Sequence, residues 1–345
     1  MKLIVVTVNY ASAEHVLRCI DGIVPQIKAI GEAEMWIVDN NSPDDSVRVL
    51  REGIAARRVE HLVQLIESPV NGGFGAGNNI AFRKALDLPQ PPSYFYLINP
   101  DAVPDPGAVE TFLNFMIAHP HVGIAGGALH DEQNNFQGST FRFPSLLSEI
   151  DWFLKLGIVT KLLRNYRVPM EKIPTQATAM DWVTGANMVI RREVLEQVGW
   201  FDETFFLYWE EIDLCRRVRN ARYEIYFVPN AAVLHLGGVT TGMTSSSKKR
   251  LPPYWFKSRA HYLRKTFGPG RLVVFNLIAV ACISLRRLRQ YLFGPEIQSP
   301  HLLRDFIRYN FFPKRYQDTT IKLTPVSLSS SPSNQARPEG KQRDG

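Results

Sequence analysis

Short apolar runs alternate with segments of helical period along the first part of the chain, and polar motifs sit where the runs end. The run 3–8 precedes a helical pattern over 13–30, 35–38 precedes 44–57, 62–66 precedes 75–86, and 94–98 precedes 106–119, with a further run at 122–125. Strands alternating with helices imply βαβ units and a mostly parallel central sheet with flanking helices, an α/β class. Such sheets bind ligands beyond the carboxyl ends of their strands, which points to residues 8–10, 39–42, 71–79 and 99–101. Past residue 140 the pattern loosens. Residues 140–175 read as a connection with short helices around 146–163, 179–191 as strand-like, 210–221 as a helix, and 224–228 and 232–236 as two strands.

Composition narrows the class. A chain of 345 residues, 45% hydrophobic and 21% charged, is neither disordered nor collagen-like, and is long enough for a large core. Cys19, Cys215 and Cys282 are far apart and outside any C-x-x-C pair, which argues against a disulfide framework or zinc knuckle and fits a reducing compartment. The amino-terminal apolar run is too short for a signal peptide and reads as a buried first strand.

Charge is unevenly spread. Residues 1–247 carry 21 basic and 28 acidic groups, whereas 248–316 carry 15 Lys and Arg against only Glu296 and Asp305. Inside the basic stretch, the run 272–285 is broken only by Asn276 and Ser284, with Arg271 before it and Arg286, Arg287 and Arg289 after it. Its fourteen residues fall short of the roughly 20 that cross a bilayer as a helix. Basic flanks and surrounding aromatics suit an interfacial helix on an anionic membrane surface, with a buried helix as the alternative. No helix-turn-helix, RNA-recognition or zinc-finger pattern accompanies the basic residues, so nucleic acid is not the expected partner. The expected organisation is a domain over 1–245, a basic helical extension over 246–316 and a disordered Ser- and Pro-rich tail over 317–345.

Five motifs carry chemistry. Asp39, in Val38-Asp39-Asn40-Asn41-Ser42, can accept hydrogen bonds from a base or ribose, or can serve an Asx turn. Four glycines and three asparagines in Asn71-Gly72-Gly73-Phe74-Gly75-Ala76-Gly77-Asn78-Asn79 let backbone approach a ligand, yet form neither a Walker loop nor a dinucleotide fingerprint. Asp101, in Asn99-Pro100-Asp101, can hold Mg2+ or Mn2+ bridging a diphosphate, or belong to a simple turn. Glu210, Glu211 and Asp213 follow an aromatic run; on a helix Glu210 and Asp213 share a face, and a carboxylate against an apolar wall can act as general base. His235, before two glycines, can join a carboxylate as a metal ligand.

Taken in order, these motifs resemble glycosyltransferase family 2, of the GT-A fold, and most closely its bacterial rhamnosyltransferase-like members. The matching residues run from Val6-Thr7-Val8-Asn9-Tyr10 through the motifs above, with Gly185-Ala186 and Phe201-Asp202-Glu203 between them. The resemblance implies that Asp39 recognises the nucleotide, and that Asn9, Asn71, Gly72, Gly73, Asn78 and Asn99 lie beside the donor. It places Asp101 at the metal with His235 completing the site. Glu211 becomes the expected base, with Glu210 second, and Asp213, Trp182 and Trp209 fall on the acceptor side, although core packing is an equal role for the two tryptophans. Two departures stand out. Asn99 replaces the first acid of Asp-x-Asp, and Glu211 replaces the usual Asp.

The implied activity is inverting transfer of a sugar from a nucleotide-diphosphate donor, dTDP-L-rhamnose first and a UDP-sugar such as UDP-galactofuranose second. The implied acceptor is a glycan on a polyprenyl diphosphate, reached from the inner face of the cytoplasmic membrane. A nucleotidyltransferase would need a basic, Gly-rich amino-terminal loop, which Val8-Asn9-Tyr10-Ala11-Ser12 is not. A non-catalytic binder with a degenerate site is the other alternative, motivated by Asn99 and Glu211.

Overall fold

The computed structural model describes residues 2–237, 250–294, 299 and 301–312. The expected disordered tail, and Gly238 of the histidine motif, lie outside the described residues. The elements are β1 (Leu3–Asn9), α1 (Ala13–Ile30), β2 (Ala33–Asp39), α2 (Ser46–Ala56), β3 (Val63–Glu67), α3 (Gly73–Leu86), β4 (Tyr94–Ile98), β5 (Ala102–Pro104), α4 (Ala108–Ala118), β6 (Val122–His130) and β7 (Phe136–Gln137). They continue with α5 (Leu146–Leu154), α6 (Gly157–Leu162), β8 (Thr178–Ala179), β9 (Asn187–Arg191), α7 (Arg192–Val198), α8 (Glu210–Asn220), β10 (Glu224–His235), α9 (Pro253–Phe267), α10 (Pro269–Phe293) and α11 (Leu302–Phe311).

All but two of the strands lie in the order β3-β2-β1-β4-β9-β6-β10-β5, with β7 added beside β6 and β8 beside β10. Strands β3, β2, β1 and β4 are mutually parallel, as are β6 and β10, and β9 runs antiparallel between β4 and β6. The sheet is therefore mixed, but its long strands share one direction. Their carboxyl ends gather Asn9, Asp39, Ile98 and His235 along one edge.

Alternation along β1 sends Leu3 and Val5 to one face and Ile4 and Val6 to the other, and all four are fully buried. The first face packs on α1, α2 and α4, and the second on α3, α7 and α8. Helix α9 is part of that second layer, since Tyr262 and Leu263 are completely buried in its cluster and Leu272 and Phe275 of α10 join them. A third cluster ties Phe153 of α5 to Phe256, Ile283 and Phe306 of the basic helices. Across it, Arg259 donates to Glu149 and Asn276, all buried. The 272–285 run thus lies in the long helix α10, with one face packed on the protein. No described helix is long and apolar enough to cross a membrane.

Two expectations change in detail. The two strands expected at 224–228 and 232–236 are one strand, β10, whose register with β6 shifts between Val228 and Val233. Pro229 lacks an N–H for the ladder, so pairing lapses while the chain stays extended. The strand-like stretch 179–191 splits into β8 and β9. All three cysteines are buried and unpaired.

Candidate functional site

The motifs expected beside the nucleotide form one hydrogen-bonded unit at the ends of β1 and β2. Parallel pairing sets Asn9 opposite Asp39. Asn9 Nδ2 donates to Asp39 Oδ1 at 2.7 Å, and Ser42 donates its backbone N–H to Oδ2 at 3.0 Å and its hydroxyl to Oδ1 at 2.6 Å. Asp39 is only 2% exposed, so its carboxylate chiefly fixes the two loops that would flank a base or ribose. Asn40 carries the frame onward: its Nδ2 donates to Asn71 Oδ1 and to the Gly73 carbonyl, at 2.9 and 3.0 Å. Asn71 Nδ2 itself is buried and has no hydrogen-bond partner, and it lies in the loop that the resemblance implies stands beside the nucleotide and sugar.

The glycines of that loop answer to packing as well. Gly73 has φ +86°, and a Cβ there would lie 1.7 Å from the Phe206 carbonyl oxygen, which accepts from Phe74 N–H. A Cβ at Gly75 would meet Phe201 at 2.9 Å, and at Gly77 would meet Val8 at 2.7 Å. Only backbone without side chains lets α3 start between β1 and the 201–206 segment. Gly72 precedes α3, and Asn78 turns its amide to the Phe74 carbonyl at 2.9 Å.

A short strand brings together Asp101 and His235, the pair expected at a metal. After β4 the chain turns through Asn99-Pro100-Asp101 into β5, which pairs antiparallel with β10 so that Ala102 sits opposite His235. Asp101 Oδ1 then lies 3.5 Å from His235 Nε2, with both side chains largely buried. Gln137 of β7 grips the histidine twice, its Nε2 donating to the His235 carbonyl at 2.8 Å and its Oε1 facing Nδ1 at 2.9 Å. With Oε1 an acceptor, Nδ1 carries the proton and Nε2 presents a lone pair. Asn99 Nδ2 donates to that lone pair at 3.3 Å. So the amide at 99 steadies the imidazole where the usual motif has a carboxylate.

A cation between this lone pair and the Asp101 carboxylate would have to displace the Asn99 amide from Nε2. One carboxylate and one imidazole are a donor pair that would suit Mg2+ or Mn2+. No group of three His, Cys, Asp or Glu side chains able to hold a metal occurs among the described residues, so the site is a partial one.

The acidic motif reaches the same region from the second layer. Tyr208 and Trp209 both have left-handed backbone, φ +67° and +75°, directly before α8. Two consecutive bulky residues there store backbone strain of order 1–3 kcal/mol each. The turn places Glu210 against the glycine loop, 3.8 Å from a Cβ built on Gly75. Phe74 of that loop abuts Gly185, and the neighbouring Ala186 carbonyl accepts from Asn99 N–H. Asn99, the 185–186 turn, the glycine loop and Glu210 are thus contiguous.

Glu210 and Glu211 each keep a buried Oε2 without a hydrogen-bond partner. Burial lifts both carboxyls, with the neighbouring Glu211 charge adding to the rise at Glu210, and Glu211 is pushed up to about 7. A carboxyl there is poised to exchange a proton at neutral pH.

The residues expected on the acceptor side are held by the protein. Asp213 accepts from Arg217 Nε and Lys265 Nζ, both at 2.9 Å, so it ties α8 to α9. Trp182 is 7% exposed, stacks on Phe141 at 4.1 Å and donates its indole N–H to the Arg142 carbonyl, which is core packing. Trp209 is part-buried and lies 5.2 Å from the Tyr262 ring. Gln137 and the α9 residues escape a reading of the sequence. Gln137 lies 98 positions from the histidine it orients, in a stretch without periodicity.

The chain matches glycosyl transferase family 2 over residues 3–199, a span that ends before Glu210 and His235. It is 25% identical over 254 residues to the N-acetylglucosaminyl-diphospho-decaprenol L-rhamnosyltransferase of Mycobacterium tuberculosis, covering 70% of this chain and 78% of that one. It is 28% identical over 165 residues to rhamnosyltransferase WbbL of Escherichia coli, covering 47% of this chain and 60% of that one. In structure it resembles a mannosyltransferase from Pyrobaculum calidifontis solved with GDP-Man and Mn2+, with TM-score 0.54 at 14% identity, covering 91% and 88% of the two chains. The fold is GT-A, and a match over more than half of the chain makes this glycosyltransferase a member of glycosyl transferase family 2.

Proposed function

We propose that the protein transfers L-rhamnose from dTDP-L-rhamnose, with inversion, to a glycan carried on a polyprenyl diphosphate at the inner face of the cytoplasmic membrane. One observation carries the reading. A carboxylate–imidazole pair and Glu210 are joined through contiguous loops at one sheet edge, and Glu211, lifted to about 7, is the next residue of the same helix. The two rhamnosyltransferase relatives support the sugar, and the decaprenol-linked substrate in the name of one supports the acceptor class.

In this reading Asp39 and the Asn9–Ser42 frame seat the nucleoside, and the 71–78 loop faces the sugar. Asp101 and His235 would hold Mg2+ or Mn2+, and the Pyrobaculum structure contains Mn2+. The bound cation supplies positive charge to the leaving diphosphate. Glu211 accepts the proton of the acceptor hydroxyl as that oxygen bonds to the anomeric carbon, on the face opposite the breaking carbon–oxygen bond to phosphate. Burial and the neighbouring Glu211 charge hold the Glu210 carboxyl well above the ordinary carboxylate range, which disfavours a second negative charge there.

The test is thermal denaturation with dTDP-rhamnose, UDP-galactofuranose, UDP-glucose or GDP-mannose, each with and without Mn2+ or Mg2+. Ligand at a hundredfold its Kd adds about 2.7 kcal/mol. A metal-dependent rise with dTDP-rhamnose is expected. A rise with another donor moves the donor assignment, and none with any donor removes the reading.

A further inference from the structure

One face of helix α9 is given over to the segment that leads into Glu210 and Glu211. At 100° per residue Tyr254, Ser258, His261 and Lys265 share a stripe about 60° wide. They meet the segment in turn. The Tyr254 ring lies 5.4 Å from that of Phe206 and 6.0 Å from that of Tyr208. The Ser258 hydroxyl, buried, donates to the Leu207 carbonyl at 3.1 Å. His261 packs edge-on against Phe205, and its Nε2 donates to Asp202 Oδ2 at 2.9 Å. Lys265 Nζ donates to Asp202 at 2.8 Å and to Asp213 at 2.9 Å.

The ammonium of Lys265 therefore closes a ring around the two glutamates. Asp202 stands before the left-handed pair Tyr208 and Trp209, and Asp213 stands after it, in the first turn of α8. Asp213 N–H donates to the Trp209 carbonyl at 2.9 Å, so its carboxylate is fixed to the turn itself. The root of the segment is anchored separately. Asn79 exchanges two hydrogen bonds with the Phe201 backbone, and Arg217 donates to the carbonyls of Val198, Gly199 and Trp200. Two consecutive bulky residues in left-handed backbone persist only where their surroundings over-determine them. The glutamates also depend on that turn for their aim, since each keeps a buried Oε2 without a hydrogen-bond partner.

We propose that Lys265 is a positioning residue for sugar transfer: by bridging Asp202 and Asp213 it holds the 208–209 turn in the conformation that aims Glu211 at the acceptor hydroxyl. The proposal rests on the reading of Glu211 as the base. It gives Asp202 of the Phe201-Asp202-Glu203 motif a task, and it brings a residue beyond the 3–199 family span into the working of the site. Loss of Lys265 strands neither carboxylate. Asp213 keeps Arg217, and Asp202 keeps His261 and the Thr204 N–H. Lys265→Met, which retains the apolar stem, therefore removes the bridge and leaves the fold in place.

The experiment is steady-state transfer from dTDP-rhamnose to a polyprenyl-diphosphate-linked acceptor by the full chain, with E211Q as the control. K265M should lower kcat by about 10- to 100-fold, because a displacement of about 1 Å is enough to do so. The donor KM and the donor-induced thermal shift should not change, as befits a contact that serves only the reacting geometry. K265R should recover most of the rate, since a guanidinium can also span two carboxylates. D202N opens the same bridge from its other end and should show the same split, and K265M/D202N should fall little below K265M alone. Wild-type kcat in K265M, a donor KM that rises as kcat falls, or additive losses in the double variant would overturn the proposal. If K265M loses its cooperative melt, D202N decides by the same readouts. E211Q as active as wild type would put the fault in the base assignment and take the proposal with it. Inactive E211Q beside normal K265M would confine the failure to Lys265.

Discussion

Glu211→Gln separates the chemistry of this site from its folding cost. The substitution keeps shape and removes one ionisable carboxyl. Burial lifts that carboxyl from the ordinary 4.5 to about 7. The native state therefore holds a proton that the unfolded chain releases across that window. Stability from this group is complete below pH 4.5 and is lost as pH rises through about 7. A rise of about two and a half pH units corresponds to about 3 kcal/mol. For a chain of this size that is on the order of 5 °C in Tm. The Gln variant lacks this loss, so its melting advantage over wild type should be near zero at pH 4.5 and grow to about 5 °C by pH 8. Glu210 loses a like charge next to it in the same variant, which adds to the gain. In parallel, sugar transfer should fall by about 10²- to 10⁴-fold, while the donor-induced thermal shift stays. Melting curves from pH 4.5 to 8 and transfer to a lipid-linked acceptor read the two effects. A melting difference that does not change with pH would refute the burial argument, and wild-type turnover would refute the base assignment.

Three further outcomes follow from the geometry. Gln137→Leu should free the His235 ring and weaken Mn2+-dependent donor binding by about 10- to 100-fold, read by titration with and without metal; unchanged affinity would show that the histidine needs no such support. Gly73→Ala forces a Cβ onto the Phe206 carbonyl at φ +86° and should cost at least about 2 kcal/mol in urea unfolding, with donor binding impaired as the loop shifts. Glu149→Ala leaves Arg259, which is 0% exposed, without its carboxylate and should cost about 3–5 kcal/mol, whereas replacing both partners by apolar residues should cost far less. Equal losses in the single and double variants would argue that the pair matters for packing rather than charge.

The alternation of apolar runs and helical segments determined the α/β sheet and which loops share its working edge, because side-chain period and run length are local properties. Asp39, Asp101, His235 and the two glutamates stood out as candidates for the same reason, each standing near where a strand ends or a helix begins. Tertiary structure decided what each of them does. Asp39 spends its acceptors on Asn9 and Ser42, and Asp213 on Arg217 and Lys265. Three of the glycines owe their identity to Phe206, Phe201 and Val8. The pairing of Asp101 with His235 depends on the three-residue strand β5, too short to announce itself by pattern, and the orientation of the ring depends on Gln137. The lifted Glu211 carboxyl exists only once a second layer excludes water from it. Sequence determines which groups are available and on which edge they emerge; burial and partners from distant segments set their charge and direction, because those terms depend on what packs against a side chain and not on its neighbours along the chain.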